Sequence, residues 1–79
     1  MKKTLYERRY AAFAALLKEM RKEAGLTQAE LARKLRRPQS YVSKYERGER
    51  RLDVIEFLEI ARVTGFDPHK FLHRLAAEL

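Results

Sequence analysis

If residues 39–47 form a helix, Gln39, Ser40, Ser43, Lys44 and Arg47 fall on one outward face, at spacings of one, three and four. These side chains share a chemistry. A glutamine amide donates to and accepts from adenine at once, lysine and arginine donate to guanine, and serine pairs with several bases. Val42 and Tyr45, three residues apart, supply the apolar side that would hold such a helix to a core. Arg36, Arg37, Arg47, Arg50 and Arg51 surround it. Guanidinium groups so placed suit phosphates, which fix position but carry no sequence information. Taken alone, a segment this charged is more simply a solvated surface. The elements around it must decide.

The charge balance is local. The 79-residue chain carries a net +7, and residues 33–51 hold eight of the 18 lysines and arginines but only two of the 11 acids. Residues 52–79 are net negative. Charge that serves solubility is spread out, whereas a concentrated excess marks a site for a polyanion or an acidic partner. The length accommodates one domain and no separate ligand-sensing one. There is no cysteine to form a disulfide or a thiolate metal site. No apolar run approaches the roughly 20 residues of a membrane span, and the opening MKKTLYERRY lacks the apolar stretch of a secretory signal. These features predict a soluble cytoplasmic domain without membrane contact.

Helix ends divide the chain. Thr4 with Glu7, Thr27 with Glu30 and Asp53 with Glu56 have the spacing of capping boxes, and Asp67 precedes Pro68 as a cap before a first-turn proline. Leu26 with Leu31, Leu52 with Phe57 and Phe66 with Phe71 have the spacing of hydrophobic staples. Gly25, Gly48 and Gly65 supply stops. A single all-α domain over residues 1–79 follows, with a first helix over 4–24, a pair of short helices within 28–47, and a fourth and fifth helix within 53–79. The first helix carries a stripe of Tyr6, Tyr10, Phe13, Leu17 and Met20, expected to face the core. In the fourth, apolar residues cover more than one face, which predicts packing on several sides.

Two short helices joined by a tight turn, the second basic and polar outside, describe a helix-turn-helix. Ala32 is small where the two must approach closely. The stretch LTQAELARKLRRPQSYVSKYERGERRLDVIEFLEIARVTG resembles the helix-turn-helix domain of phage Cro and repressor proteins, the XRE type. The likeness runs from about Leu16 to Phe71 and implies a compact five-helix bundle of the lambda-repressor-like DNA-binding kind. It implies base reading by Gln39, Ser40, Ser43 and Lys44, and phosphate contact by Gln28, which in some members also bonds the first glutamine of the recognition helix. It further implies backbone contacts from the loop Gly48 to Arg51, and a structural salt bridge between Arg21 and Glu46. Two departures concern the pose of the second helix. Arg36 stands where the family usually has glycine, so the turn is either reshaped or strained. Pro38 stands where a serine or threonine cap is common.

The expected function is sequence-specific binding of double-stranded DNA by a bacterial or phage transcriptional regulator acting as a repressor. The alternative on the same fold is a protein-interaction module, such as an antitoxin or adaptor. No enzyme is expected, because no nucleophile stands beside a base and no glycine-rich phosphate loop is present. His69 and His73 have i, i+4 spacing but no third ligand, so no metal, cofactor or small-molecule ligand is expected. Apolar residues of the last helix, with Ile55 or Val63, suggest a homodimer surface, since proteins with this motif often bind palindromes as two-fold dimers.

Overall fold

The computed structural model describes residues 4–79, so Met1 to Lys3 lie outside it. Caps begin the helices much as their spacing implies. Thr27 and Asp53 each accept a bond from the backbone N–H three residues on, and Glu30 and Glu56 return the bond to the cap residue's own N–H. Thr4 makes only half of such a box: its hydroxyl accepts from the Glu7 N–H and donates to the Glu7 carboxylate. Asp67 accepts from the N–H groups of His69 and Lys70. Five helices result, with no strand among the described residues: α1 Leu5–Glu23, α2 Gln28–Leu35, α3 Gln39–Glu46, α4 Val54–Thr64 and α5 Pro68–Glu78.

One stop geometry recurs after α1, α2 and α3. The N–H of Leu26, Arg37 and Glu49 reaches back five residues, to the carbonyls of Arg21, Ala32 and Lys44, at 2.9–3.2 Å. The residue before each takes a left-handed backbone: Gly25, Arg36 and Gly48. This is the Schellman stop, in which a left-handed residue satisfies orphan carbonyls. Arg36 adopts it at φ 58° and ψ 43°. The turn therefore keeps the geometry that glycine would give it, at about 1–2 kcal/mol of steric cost. Pro38 caps α3 without a side-chain bond, its fixed φ of −62° setting the entry angle.

Each helix contributes to one core: Leu16 and Leu17 from α1, Leu31 and Ala32 from α2, Tyr41, Val42 and Tyr45 from α3, Phe57 and Ile60 from α4, and Phe71 from α5. Each of the larger apolar side chains contributes about 1.5–3 kcal/mol by burial. Phe13, Phe57, Phe66 and Phe71 form an aromatic cluster, and the Phe66–Phe71 staple has ring centroids 5.0 Å apart.

One expectation about packing holds in part and another needs correction. α4 packs on α2 and, through Phe57, meets Phe13 of α1 and Phe71 of α5, but its apolar residues are not all covered: Val54 and Ile55 are 70% and 66% exposed and Leu58 is exposed too. The aromatic stripe of α1 is not all core either. Phe13 joins the core, whereas Tyr6 is exposed and Tyr10 half-buried, because the first turns of α1 run past the loop after α3 rather than over the core.

Candidate nucleic-acid interface

α2 and α3 pack on each other through Leu31, Ala32 and Val42, with Leu31 and Val42 fully buried. The end of α3 is pinned by charge. Glu46 Oε2 accepts from Arg21 Nε at 2.7 Å, and Glu46 Oε1 accepts from Arg21 Nη2 at 3.1 Å and from Gln28 Nε2 at 3.0 Å. Arg21 Nη1 also donates to the Leu26 carbonyl at 2.8 Å. This cluster ties α1, the start of α2 and the end of α3 together. Its members satisfy one another, as buried charge requires. Hydrogen bonding to Glu46 holds the Arg21 guanidinium above its ordinary value, against the opposing effect of burial. The salt bridge that the resemblance implied is therefore present.

With its inner face fixed by Tyr41, Val42, Tyr45 and Glu46, α3 presents Gln39, Ser40 and Lys44 to solvent. Their side chains make no hydrogen bond to the described residues. Ser43 is half-buried, and its hydroxyl accepts from Arg47 Nη1 at 2.8 Å. Arg47 also bonds the Glu49 carboxylate at 2.9 Å, so these two residues of the outer face are linked to each other and to the loop. Gln28 is half-buried at the start of α2, with one amide N–H given to Glu46 rather than to Gln39.

The arginines sort into distinct environments. Arg36 is exposed in the α2–α3 turn. Arg37 and Arg50 are half-buried, and both guanidinium carbons lie over the Tyr41 ring, at 4.5 and 4.7 Å. Arg50 makes a two-pronged bond to Glu56, at 2.8 and 3.2 Å, whereas Arg37 stands 3.9 Å from Glu56 and from Glu59. Arg51 lies over Tyr6 at 4.7 Å and beside Tyr10 at 5.9 Å. Tyr10 also accepts the Leu52 N–H on its hydroxyl at 2.8 Å.

Tyr6, Tyr10 and Glu56 are thus part of the site's support, a role that reading the sequence missed. Tyr10 meets a residue 42 positions away, and no local pattern announces such a contact. Glu56 was legible only as a helix cap. Among the described residues, no group of three or more His, Cys, Asp or Glu stands close enough to hold a metal ion, and no helix is long and apolar enough to cross a membrane.

A family model described as a helix-turn-helix domain matches residues 12–73. An XRE-family-like protein from Pseudomonas syringae pv. tomato is 53% identical, over 94% of this chain and 90% of that one, with a TM-score of 0.86. The chain belongs to the XRE family of helix-turn-helix proteins. Also similar is the restriction-modification controller protein C.AhdI from Aeromonas hydrophila, 31% identical over 78% of this chain and 94% of that one, with a TM-score of 0.71. The clp gene regulator ClgR from C. glutamicum is 28% identical over 87% of each chain, with a TM-score of 0.76. Among curated proteins, none matches. This XRE-family fold is a DNA-binding one, and its solved relatives include regulators. The match to the family model begins at residue 12, so Tyr6, Tyr10 and their contacts with the loop fall outside it.

Proposed function

We propose that this XRE-family protein is a sequence-specific regulator of transcription that binds double-stranded DNA and acts as a repressor in the bacterial cytoplasm. The observation that carries the reading is the division of α3. Its inner face is buried and bonded, while Gln39, Ser40 and Lys44 stand exposed beside a basic loop with no bond to the described residues. In this reading α3 enters the major groove, where Gln39, Ser40, Ser43 and Lys44 meet base edges. Arg36, Arg37, Arg47, Arg50 and Arg51 meet phosphates, as does the second amide N–H of Gln28. Ser43 and Arg47 must exchange their mutual bond for contacts to DNA.

A homodimer completes the reading. Val54, Ile55 and Leu58 on α4, Leu72 on α5 and Leu79 just after it are exposed large apolar side chains, and they support self-association of two chains on a two-fold operator. An interaction module with α3 as its docking face has less support, because the outer face of that helix carries no apolar anchor.

Selection from a randomised duplex library at near-physiological salt tests the function. The expected product is a palindrome with half-sites about one helical turn apart. Enrichment of a single unrepeated site would remove the dimer, and no enrichment by folded protein would remove sequence-specific regulation. On the selected site, Gln39→Ala is expected to cost about 1–3 kcal/mol while sparing non-specific binding. An equal loss on every sequence would take Gln39 out of the reading role.

A further inference from the structure

We propose that Glu56 is a positioning residue for the loop Gly48–Leu52, presetting Arg50 and Arg37 beside Tyr41 so that they meet a nucleic-acid backbone already in place. The proposal rests on the reading of α3 and its loop as a duplex-DNA interface.

Glu56 begins as a local feature of α4, where Oε1 accepts the Asp53 N–H at 3.0 Å. The cap fixes where the carboxylate sits before any arginine arrives. Arg50 then bonds both oxygens, and its Nη1 also donates to the Arg51 carbonyl at 2.9 Å, so one guanidinium joins α4 to the loop backbone. Arg37, from the other end of α3, approaches the same carboxylate at 3.9 Å. The Tyr41 ring supports both cations. The carboxylate is the more deeply set partner, and each arginine keeps more than a third of its side chain in solvent or close to it. Arg37's other acidic neighbour, Glu59, is exposed and distant enough to hold little. An arginine held in this way loses less freedom when a phosphate arrives, which is the advantage of preorganisation.

The proposal predicts an effect opposite in sign to simple electrostatics. Removing a carboxylate beside a polyanion site ought to strengthen binding; if Glu56 positions the arginines, removing it weakens binding. Glu56→Gln is the variant of choice, because an amide oxygen can still accept the Asp53 N–H and keep the cap, while the ion pair is lost. Glu59→Gln removes the same charge nearby without touching the cap or the short bonds.

The experiment is equilibrium binding of wild type and both variants to a random-sequence duplex between about 50 and 200 mM salt, with circular dichroism showing each protein folded at the assay temperature. Glu56→Gln is expected to bind about three- to tenfold more weakly at low salt, with a log–log salt slope shallower by about 1, the signature of one lost phosphate contact. Glu59→Gln is expected to bind as well as wild type or better. Unchanged or tighter binding by folded Glu56→Gln overturns the proposal and leaves Glu56 a cap. A flat salt response of the wild type fails the interface reading itself, and is seen before any variant is compared. Should Glu56→Gln not fold, Arg50→Lys keeps the charge but not the two-pronged bond or the stacking. A similar loss of affinity is expected there, and undiminished affinity overturns the proposal.

Discussion

Of the arginine–glutamate pairs near the end of α3, two differ most usefully in what surrounds them. Arg21 and Glu46, from residues 25 apart, keep 9% and 2% of their side chains exposed; Arg50 and Glu56, only six apart, keep 37% and 14%. Bond lengths are nearly the same, at 2.7 and 2.8 Å. The inner pair has been taken out of water, so its worth lies in never being half-broken. The outer pair remains partly solvated, contributes little to stability, and leaves its cation within reach of something else. One chemistry thus serves the fold on one side of α3 and a surface on the other.

Breaking the inner pair should have the largest effect. Glu46→Ala leaves a buried guanidinium and the Gln28 amide without their acceptor, and is expected to cost about 3–5 kcal/mol in a denaturant melt. A loss of less than about 1 kcal/mol would mean that the inner pair behaves like a surface one, and the contrast would collapse. Removing the Gln28 amide sharpens the same point from the neutral side. Gln28→Ala is expected to cost about 1.5 kcal/mol, because the lost bond is to a charged acceptor, and no loss would show that Arg21 alone satisfies Glu46.

Tyr45 tests whether polarity at the inner flank matters only when it is partnered. Its side chain is fully buried, and its hydroxyl has no hydrogen-bond partner among the described residues. Burial, with the Glu46 charge adding to it, pushes the phenol well above its ordinary value, so it stays neutral. Tyr45→Phe is expected to leave stability unchanged or raise it by up to about 1 kcal/mol, whereas a clear loss would reveal a bond that the hydroxyl makes.

The smallest effect belongs to the outer pair and to acid. The Arg50 hydrogen bond and the Asp53 N–H hold the Glu56 carboxyl below the usual glutamate range. A carboxyl depressed by folding adds stability above its unfolded value, and that stability is lost as pH falls through the folded one. Glu30 and Asp67, lowered by the backbone N–H groups they cap, shift in the same direction. Melting temperature should therefore be level near neutrality and decline below roughly pH 4. Glu56→Gln should flatten only part of that decline, worth no more than about 1 kcal/mol. A variant with the full wild-type decline would remove Glu56 from the acid response.

Much of the molecule was legible before folding because its signals are local. Caps act across three residues, and both the staples and the Schellman stops across five, so Thr27, Asp53, Asp67, Gly25 and Gly48 mark helix ends whatever lies elsewhere. Val42 and Tyr45 announced the inner face of α3, and with it the outward placement of Gln39, Ser40 and Lys44. The strained Arg36 was flagged by its place in the motif, though only the backbone angles chose strain over a reshaped turn.

What tertiary structure decided was the company each long side chain keeps. Five arginines near α3 look alike in sequence, yet Arg36 is exposed in its turn, Arg47 bonds Ser43 and Glu49, Arg50 bonds Glu56, and Arg37 and Arg51 lie over tyrosines. An arginine spans several rotatable bonds, so its partner is whichever carboxylate or ring the packing of distant helices brings within reach. The exposed apolar strip on α4 has the same origin: the sequence shows that a side chain is apolar, but only the placement of α2, α1 and α5 against α4 determines which of them is covered.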